Sequence, residues 1–345
     1  MYIKRILLAI SIIIVLGLSY LSYEIYKTVF LPNTTFSQNT QSVYISKRDN
    51  IDSVLKKLSP YVKDINGFYE VAKRKQYQPQ SGHFVLKNGM NNNEIVNLMR
   101  SQNTPINITF NNAENLAELS GKLALQFDAD SLEIYDTFSD SLFLSQKELT
   151  AQQSLSLYIP NTYEFYWNAK PQAIQNRLLE QYEKFWNANR EQKRQVLNLS
   201  RLEVSTLASI VQKETAKVDE RPKVAGVYIN RLKRRMKLQA DPTVVYALKQ
   251  KYKNPDTIIR RVLKKDLEID SPFNTYQNYG LPPAPLIMPD VTSIDAVLNH
   301  EKHNYLYFVA NPKDIGYHLF SKTLREHNRK ARIYRRWVNE QKIYR

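Results

Sequence analysis

Residues 6–23 read Ile-Leu-Leu-Ala-Ile-Ser-Ile-Ile-Ile-Val-Leu-Gly-Leu-Ser-Tyr-Leu-Ser-Tyr and carry no charge, directly after Lys4 and Arg5. In hydrocarbon a backbone must satisfy its own hydrogen bonds, which leaves a helix for such a run, and its length lies within the roughly 17–25 residues that span a bilayer. The positive-inside bias puts the short N-terminus in the cytoplasm and everything after Glu24 across the membrane. Gly17, Ser19 and Ser22 would suit a cleaved signal peptide. No Ala-x-Ala-like site follows, however, and the run exceeds the roughly 7–15 residues of a signal core. An uncleaved single-pass anchor in a bacterial inner (plasma) membrane is therefore expected, with the bulk of the chain extracytoplasmic.

That placement decides what the charge means. The formal net charge of +16 on 345 residues points to polyanionic surroundings: nucleic acid, anionic lipid or an acidic cell-wall polymer. Beyond a membrane, nucleic acid drops out as a partner. The chain has no cysteine, which excludes disulfides, thiolate catalysis, cysteine zinc sites and a lipoprotein anchor.

The remainder divides by pattern into an α+β protein. Residues 1–29 are the cytoplasmic tip and anchor, and 30–41, polar with Pro32 and Asn33, form a linker. Within 42–105, strand alternation over 43–45, an amphipathic helix over 50–58, a helix over 68–73, a strand over 83–86 and a helix over 93–100 make a small α+β module. Residues 106–200 connect onward through a strand over 106–110 and a helix over 115–126. An acidic patch at Asp128, Asp130, Glu133 and Asp136 reads as a solvated helix face. The aromatic-rich stretch 158–167 could stack on the apolar faces of sugar rings, but such a stretch more often packs in a core, which is the expectation here, and 171–189 forms one long helix.

Residues 201–345 hold the chemistry. Ser200-Arg201-Leu202-Glu203 is a capping box that starts a helix, in which Leu207, Ile210, Val211 and Glu214 fall at i, i+3, i+4 and i+7. Glu214 thus sits on the apolar stripe, where burial disfavours the charged form and suits a general acid near neutral pH. The alternative is that Glu214 ends the stripe at its rim and pairs with Lys213, Lys217 or an arginine of the next helix. His300 and His303 have the spacing of metal ligands on a helix, but without cysteine or a His-Glu-x-x-His pattern neither a metal nor a cofactor is expected. The basic tail 329–345 reads as a solvated face through Arg332, Arg335 and Arg336, with Ile333, Tyr334 and Trp337 packing inward.

Residues 207–215 read Leu-Ala-Ser-Ile-Val-Gln-Lys-Glu-Thr, 224–232 Val-Ala-Gly-Val-Tyr-Ile-Asn-Arg-Leu and 238–243 Leu-Gln-Ala-Asp-Pro-Thr. Then come Ser-Pro-Phe-Asn-Thr-Tyr at 271–276, Gly-Leu-Pro-Pro-Ala-Pro at 280–285, Tyr-Leu-Tyr-Phe-Val at 305–309 and Gly-Tyr-His-Leu-Phe-Ser at 316–321, closed by Glu326-His327-Asn328. In this order the motifs closely resemble the endolytic murein transglycosylase family, also called YceG-like. The resemblance implies an anchor, a small LysM-like module and a C-terminal α+β catalytic domain in a membrane-bound lyase that cuts peptidoglycan glycan strands internally, with the strands and their synthases as partners. It places the catalytic acid at Glu214. The chain departs from the family at Ser156-Leu157-Tyr158-Ile159-Pro160-Asn161, where Glu-Gly usually precedes Phe-Pro-Asp, and at His83, where the family tends to a less polar residue.

A lytic transglycosylase needs one carboxyl: Glu214 protonates the leaving oxygen, then takes the proton of the N-acetylmuramoyl 6-hydroxyl as that oxygen closes on C1. Asn230, Gln239, Asp241, Ser271 and Asn274 are the candidates to bind sugar or steady the oxocarbenium-like state, and each also suits a cap or turn. Two other functions fit the same residues. One is a peptidoglycan hydrolase pairing Glu214 with Asp241 or Glu220; the other is a non-catalytic wall-binding scaffold, which has no use for a carboxyl on an apolar face.

Overall fold

The computed structural model describes residues 2–252, 259 and 262–341 of a mixed α+β chain. The chain forms two units: Met1–Ile108 with Gln126–Ala129 and Tyr163–Lys170, and Thr109–Leu125 with Asp130–Thr162 and Pro171–Arg345.

The first unit opens with α1 (Tyr2–Phe30), whose 29 residues bury no side chain and whose most apolar 18-residue stretch has a mean hydropathy of 2.3. At about 1.5 Å per residue it exceeds a hydrocarbon core of about 30 Å, so it is long and apolar enough to cross a membrane. Strand β1 (Thr40–Ile45) pairs antiparallel with β2 (Gly82–Lys87), Thr40 opposite Lys87 and Ile45 opposite Gly82. Helices α2 (Ile51–Leu58) and α3 (Ile65–Arg74) lie between them in sequence, and α4 (Asn92–Ser101) follows. Asn50 and Asn91 start α2 and α4 by accepting from the N–H groups of Ser53 and Glu94. Val54, Leu58, Phe68, Ile95 and Met99 close on Phe84 and Leu86 of β2 in one core. The strand, two helices and strand expected over 43–86 are all present. Asn33 and Thr34 are nonetheless buried, because the Asn33 amide exchanges hydrogen bonds with the Asp64 backbone at 2.7 and 2.9 Å. His83 is buried too, its ring held by Ser42 Oγ at 2.8 Å and the Thr104 carbonyl at 3.1 Å and stacked on Tyr44.

Strand β3 (Ile106–Phe110) leads to α5 (Leu116–Ala124), α6 (Ser131–Phe138) and α7 (Ser141–Gln146), and pairs with β4 (Asn161–Phe165). The acidic patch is not simply a solvated face. Asp130 and Glu133 form the capping box that starts α6, and Asp128 accepts from the Lys47 N–H at 2.8 Å. Tyr158, Ile159 and Phe165 are buried as expected of a core stretch, whereas Tyr166 is exposed. The single helix expected over 171–189 is two, α8 (Pro171–Phe185) and α9 (Ala188–Leu197), because Asn187 adopts extended backbone and caps a new helix by accepting from the Arg190 N–H.

Helix α10 (Arg201–Glu214) begins at the capping box read from sequence: Ser200 Oγ accepts from the Glu203 N–H at 3.1 Å, and Glu203 accepts from the Ser200 N–H at 2.7 Å. It is buried on every side over residues 204–211, more than a stripe, since α11 (Arg221–Lys233), α12 (Asp241–Tyr252) and α13 (Val291–Leu298) all pack on it. Two of its polar side chains find partners in the segment before α13. Ser209 Oγ accepts from the Leu286 N–H at 2.9 Å, and Gln212 from the Asp290 N–H at 2.8 Å. Because α13 ends at Leu298, His300 and His303 do not share a helix, and the metal-ligand spacing inferred for them has no geometric basis.

The hairpin β5 (Tyr307–Ala310) and β6 (His318–Ser321) precedes α14 (Leu324–Glu340). Tyr334 and Trp337 are half-buried and stacked, but Ile333 is 52% exposed. One residue along a helix is about 100° of rotation, which carries Ile333 off the face that Tyr334 and Trp337 share. Residues 342–345 of the basic tail lie outside the described residues.

Gly226 fixes how closely α11 approaches the chain after α13: a Cβ there would lie 2.6 Å from the Glu301 carbonyl and 2.7 Å from His303 Nε2. Gly226→Ala is expected to destabilise the chain by roughly 1–3 kcal/mol through overpacking, despite alanine's better helix propensity. Thermal or denaturant unfolding reads this directly, and a variant as stable as the parent would show that the contact yields.

Candidate active site

Glu214 is the last residue of α10, where the unpaired carbonyl end of the helix presents partial negative charge and works against a carboxylate. Its side chain is half-open to a cavity of about 360 Å³ that Asp241, Val245, Tyr246 and Leu286 also line. On its other sides protein crowds it, and burial pushes the carboxyl from 4.5 up to about 7, against a lesser opposing pull from its hydrogen bond to Tyr228. Asp241 adds to the rise, while His318 and Arg231 oppose it.

The partner of Glu214 is a phenol, not the lysine or arginine of the rim-pairing alternative. Tyr228, on α11, donates to Glu214 Oε1 at 2.6 Å, while Lys213 donates instead to Glu114 at 2.9 Å. Lys217 lies over the Tyr317 ring. Tyr228 is 1% exposed and packed edge-on against Phe308, and burial together with the adjacent Glu214 drives its own pKa well above 10. It therefore remains a donor at every relevant pH.

Asp241 begins α12 and accepts from the Tyr276 hydroxyl at 2.6 Å, a phenol that burial and this bond push far upward. The turn before it is tightly specified. Gln239 adopts left-handed backbone at φ +49°, its N–H donates to the Thr275 carbonyl at 3.1 Å, and the Ala240 N–H donates to Thr275 Oγ1 at 3.0 Å. The Gln239 side chain is exposed. Asn274 is fully buried, donating to the Leu267 and Ile269 carbonyls at 3.0 and 2.8 Å, and Ser271 Oγ accepts from the Phe273 N–H at 3.3 Å. Asn230 donates to the His303 and Tyr305 carbonyls at 2.7 and 3.1 Å. Of the residues singled out in the sequence, Glu214 and Asp241 meet in the cavity, while the side chains of Asn230, Ser271 and Asn274 hold loops in shape.

Glu220, the other carboxylate considered beside Glu214, is engaged elsewhere. It accepts from the His318 N–H at 2.7 Å and contacts His318 Nδ1 at 2.8 Å; burial acts to raise its pKa, but these bonds outweigh it and hold the carboxyl low. Among the described residues no cluster of three or more His, Asp or Glu side chains is arranged for a metal.

Sequence reasoning missed four side chains around the cavity: Tyr228, Tyr276, Glu114 and Lys249. The two tyrosines stood inside the quoted motifs, but nothing in a one-dimensional pattern aims a phenol at a carboxyl. Glu114 lies a hundred residues before Glu214 and no local signal links them.

Because the folded value of Glu214 lies above that of the unfolded chain, the native state keeps a proton between about 4.5 and about 7 that the unfolded state releases. Its contribution to stability is fullest below that interval and is lost as pH rises through it. Glu214→Gln, always neutral, should be more stable than the parent above pH 7, by on the order of 1–3 kcal/mol, with the gap closing toward pH 5. Unfolding curves between these pH values check it; a gap independent of pH would mean an unshifted carboxyl.

Comparison with known proteins agrees with this architecture. An endolytic murein transglycosylase of Bacillus subtilis is 32% identical over 337 residues, covering 91% of this chain and 90% of the relative. One from Streptococcus pneumoniae is 37% identical over 132 residues, 38% of this chain and 23% of the relative. A crystal structure of a YceG-like protein from Listeria monocytogenes superposes with a TM-score of 0.57 at 27% identity, covering 85% of this chain and 99% of that one. The YceG-like family model matches residues 43–333, nearly the whole chain beyond the apolar helix, and on that extent of likeness the chain belongs to the YceG-like family.

Proposed function

We propose that the chain is an endolytic peptidoglycan lytic transglycosylase, which cleaves the N-acetylmuramoyl–N-acetylglucosamine bond inside nascent glycan strands and so terminates their elongation. One observation carries the reading. Glu214 is a carboxyl in a cavity wall whose pKa of about 7 keeps a large protonated fraction at neutral pH. Protonated Glu214 gives its proton to the glycosidic oxygen as the C1–O bond breaks. The resulting carboxylate takes the proton of the muramoyl 6-hydroxyl as that oxygen bonds C1, leaving a 1,6-anhydro end. No water is consumed and the acid is regenerated. Tyr228 anchors Oε1 and leaves Oε2 to meet the sugar. Asp241, held as an acceptor by Tyr276, supplies negative charge toward the oxocarbenium-like state, with Gln239 beside it as the exposed contact for sugar.

In this reading α1 is the single-pass anchor, with Lys4 and Arg5 on the cytoplasmic side and the catalytic part, 201–345, outside. The small α+β module is LysM-like, and synthases extending the strands are the partners that this location implies.

Digestion of purified peptidoglycan, read by mass spectrometry, tests the chemistry. Anhydro-muramoyl ends are expected with the parent chain and a loss of at least 100-fold with Glu214→Gln. Reducing ends would point to the hydrolase pairing with Asp241, and no cleavage by folded protein to a scaffold. The acid role also predicts that kcat/KM falls above about pH 7. Removing the donor with Tyr228→Phe destabilises the carboxylate, so that limb should move to higher pH while kcat drops; a downward move would contradict the assignment.

A further inference from the structure

Beside Glu214 the cavity carries charges that the proposed chemistry leaves unused. Lys213 Nζ lies 2.9 Å from Glu114 Oε1, and Lys249 Nζ lies 3.0 Å from Glu114 Oε2, so one carboxylate holds two ammonium groups, one by each oxygen. All three residues line the same cavity as Glu214. The three come from separate stretches of chain: the loop before α5, the end of α10 and the last turns of α12. Counted over these three described residues, one positive charge is left over. Among the described residues each ammonium commits one N–H to Glu114 and no other, and the lysine side chains remain 37% and 26% exposed. A structural ion pair needs one lysine; two on one carboxylate at a cavity wall form a site with capacity for a second anion.

We propose that Lys213 and Lys249, spread and fixed by Glu114, form a subsite that binds a carboxylate carried by the muramoyl unit of the strand being cut. This inference rests on the proposed action on peptidoglycan. Within that polymer the muramoyl lactyl group and the stem peptide are the carboxylate sources, and both extend from the sugar whose C1 reacts. Lys213 is the immediate neighbour of Glu214, so an anion held there positions that sugar against the acid. Glu114 is a positioning residue: without it the two ammonium groups repel each other and lose their common anchor.

Binding is measured on the full chain carrying Glu214→Gln, so that the outcome does not depend on turnover. The probes are three forms of one uncrosslinked muramoyl oligosaccharide: with stem peptides bearing free carboxylates, with those carboxylates amidated, and stripped to the free lactyl group. The subsite predicts about tenfold weaker binding of the amidated form, the size of one charge-assisted hydrogen bond. Adding Lys213→Gln together with Lys249→Gln should erase that preference, and Lys213→Arg with Lys249→Arg should restore it. A preference for the stripped form names the lactyl group as the source, and a preference for the peptide form names the stem. Equal affinity for all three forms, or a preference that survives loss of both lysines at unchanged Tm, overturns the subsite. Failure of the parent chain to produce anhydro ends would instead strike the proposed chemistry and leave this binding result standing.

Discussion

A carboxyl at the C-terminal end of a buried helix faces three adverse conditions together: little water, the negative end of the backbone dipole, and, among the described residues, no lysine or arginine bonded to it. The 2.6 Å hydrogen bond from Tyr228 offsets part of that cost without removing it, because a neutral donor stabilises the anion less than a cation does. That balance keeps Glu214 near 7 rather than near 4, and much of the second unit serves to maintain it. Helix α11 must lie close enough to α10 for the phenol to reach, and Gly226 lets the same helix seat against the chain at Glu301 and His303. The phenol must be immobile, which Phe308 and the surrounding core ensure.

The same economy of motion marks the rest of the wall. Arg231 donates to the Leu306 and Leu238 carbonyls at 2.7 and 2.6 Å, tying α11 to β5's approach and to the turn that carries Gln239. Asn274 fastens the following loop, and Tyr276 reaches from it to Asp241. Left-handed backbone at Gln239, a residue with a side chain, costs about 1 kcal/mol and persists because Thr275 holds the flanking N–H groups. Asn230, Ser271 and Asn274 hydrogen-bond to backbone groups of the loops around the two carboxylates, whereas the Gln239 side chain stays exposed.

The sequence made legible what local physics controls. The capping box at Ser200, the apolar run of α1 and the strand–helix–helix–strand order of the small module all depend on neighbours within a few residues, and all appear where expected. Glu214 was legible for the same reason, as a charged residue at helical spacing on an apolar face. Its partner was not. Whether Lys213, an arginine or a tyrosine meets that carboxyl depends on the crossing of α10 and α11, which no pattern within one helix encodes. The break at Asn187 and the exposure of Ile333 show the finer limit. One capping asparagine ends a periodic stretch, and one residue's rotation moves a side chain off its face.

Two glutamates in one cavity are driven in opposite directions, and the division is chemically useful. Burial acts to raise both. At Glu114 the bonds from Lys213 and Lys249 outweigh it and hold the carboxyl below its ordinary range, so this group is a permanent anion with no proton to give. At Glu214 the donor is a phenol that does not ionise, burial prevails, and the proton is retained near neutrality. Exchanging the donors would exchange the states: an ammonium on Glu214 would fix it as a carboxylate and remove the proton that the proposed reaction uses. The placement of Lys213, one residue from Glu214 yet turned to Glu114, therefore matters as much to the acid as the tyrosine that touches it.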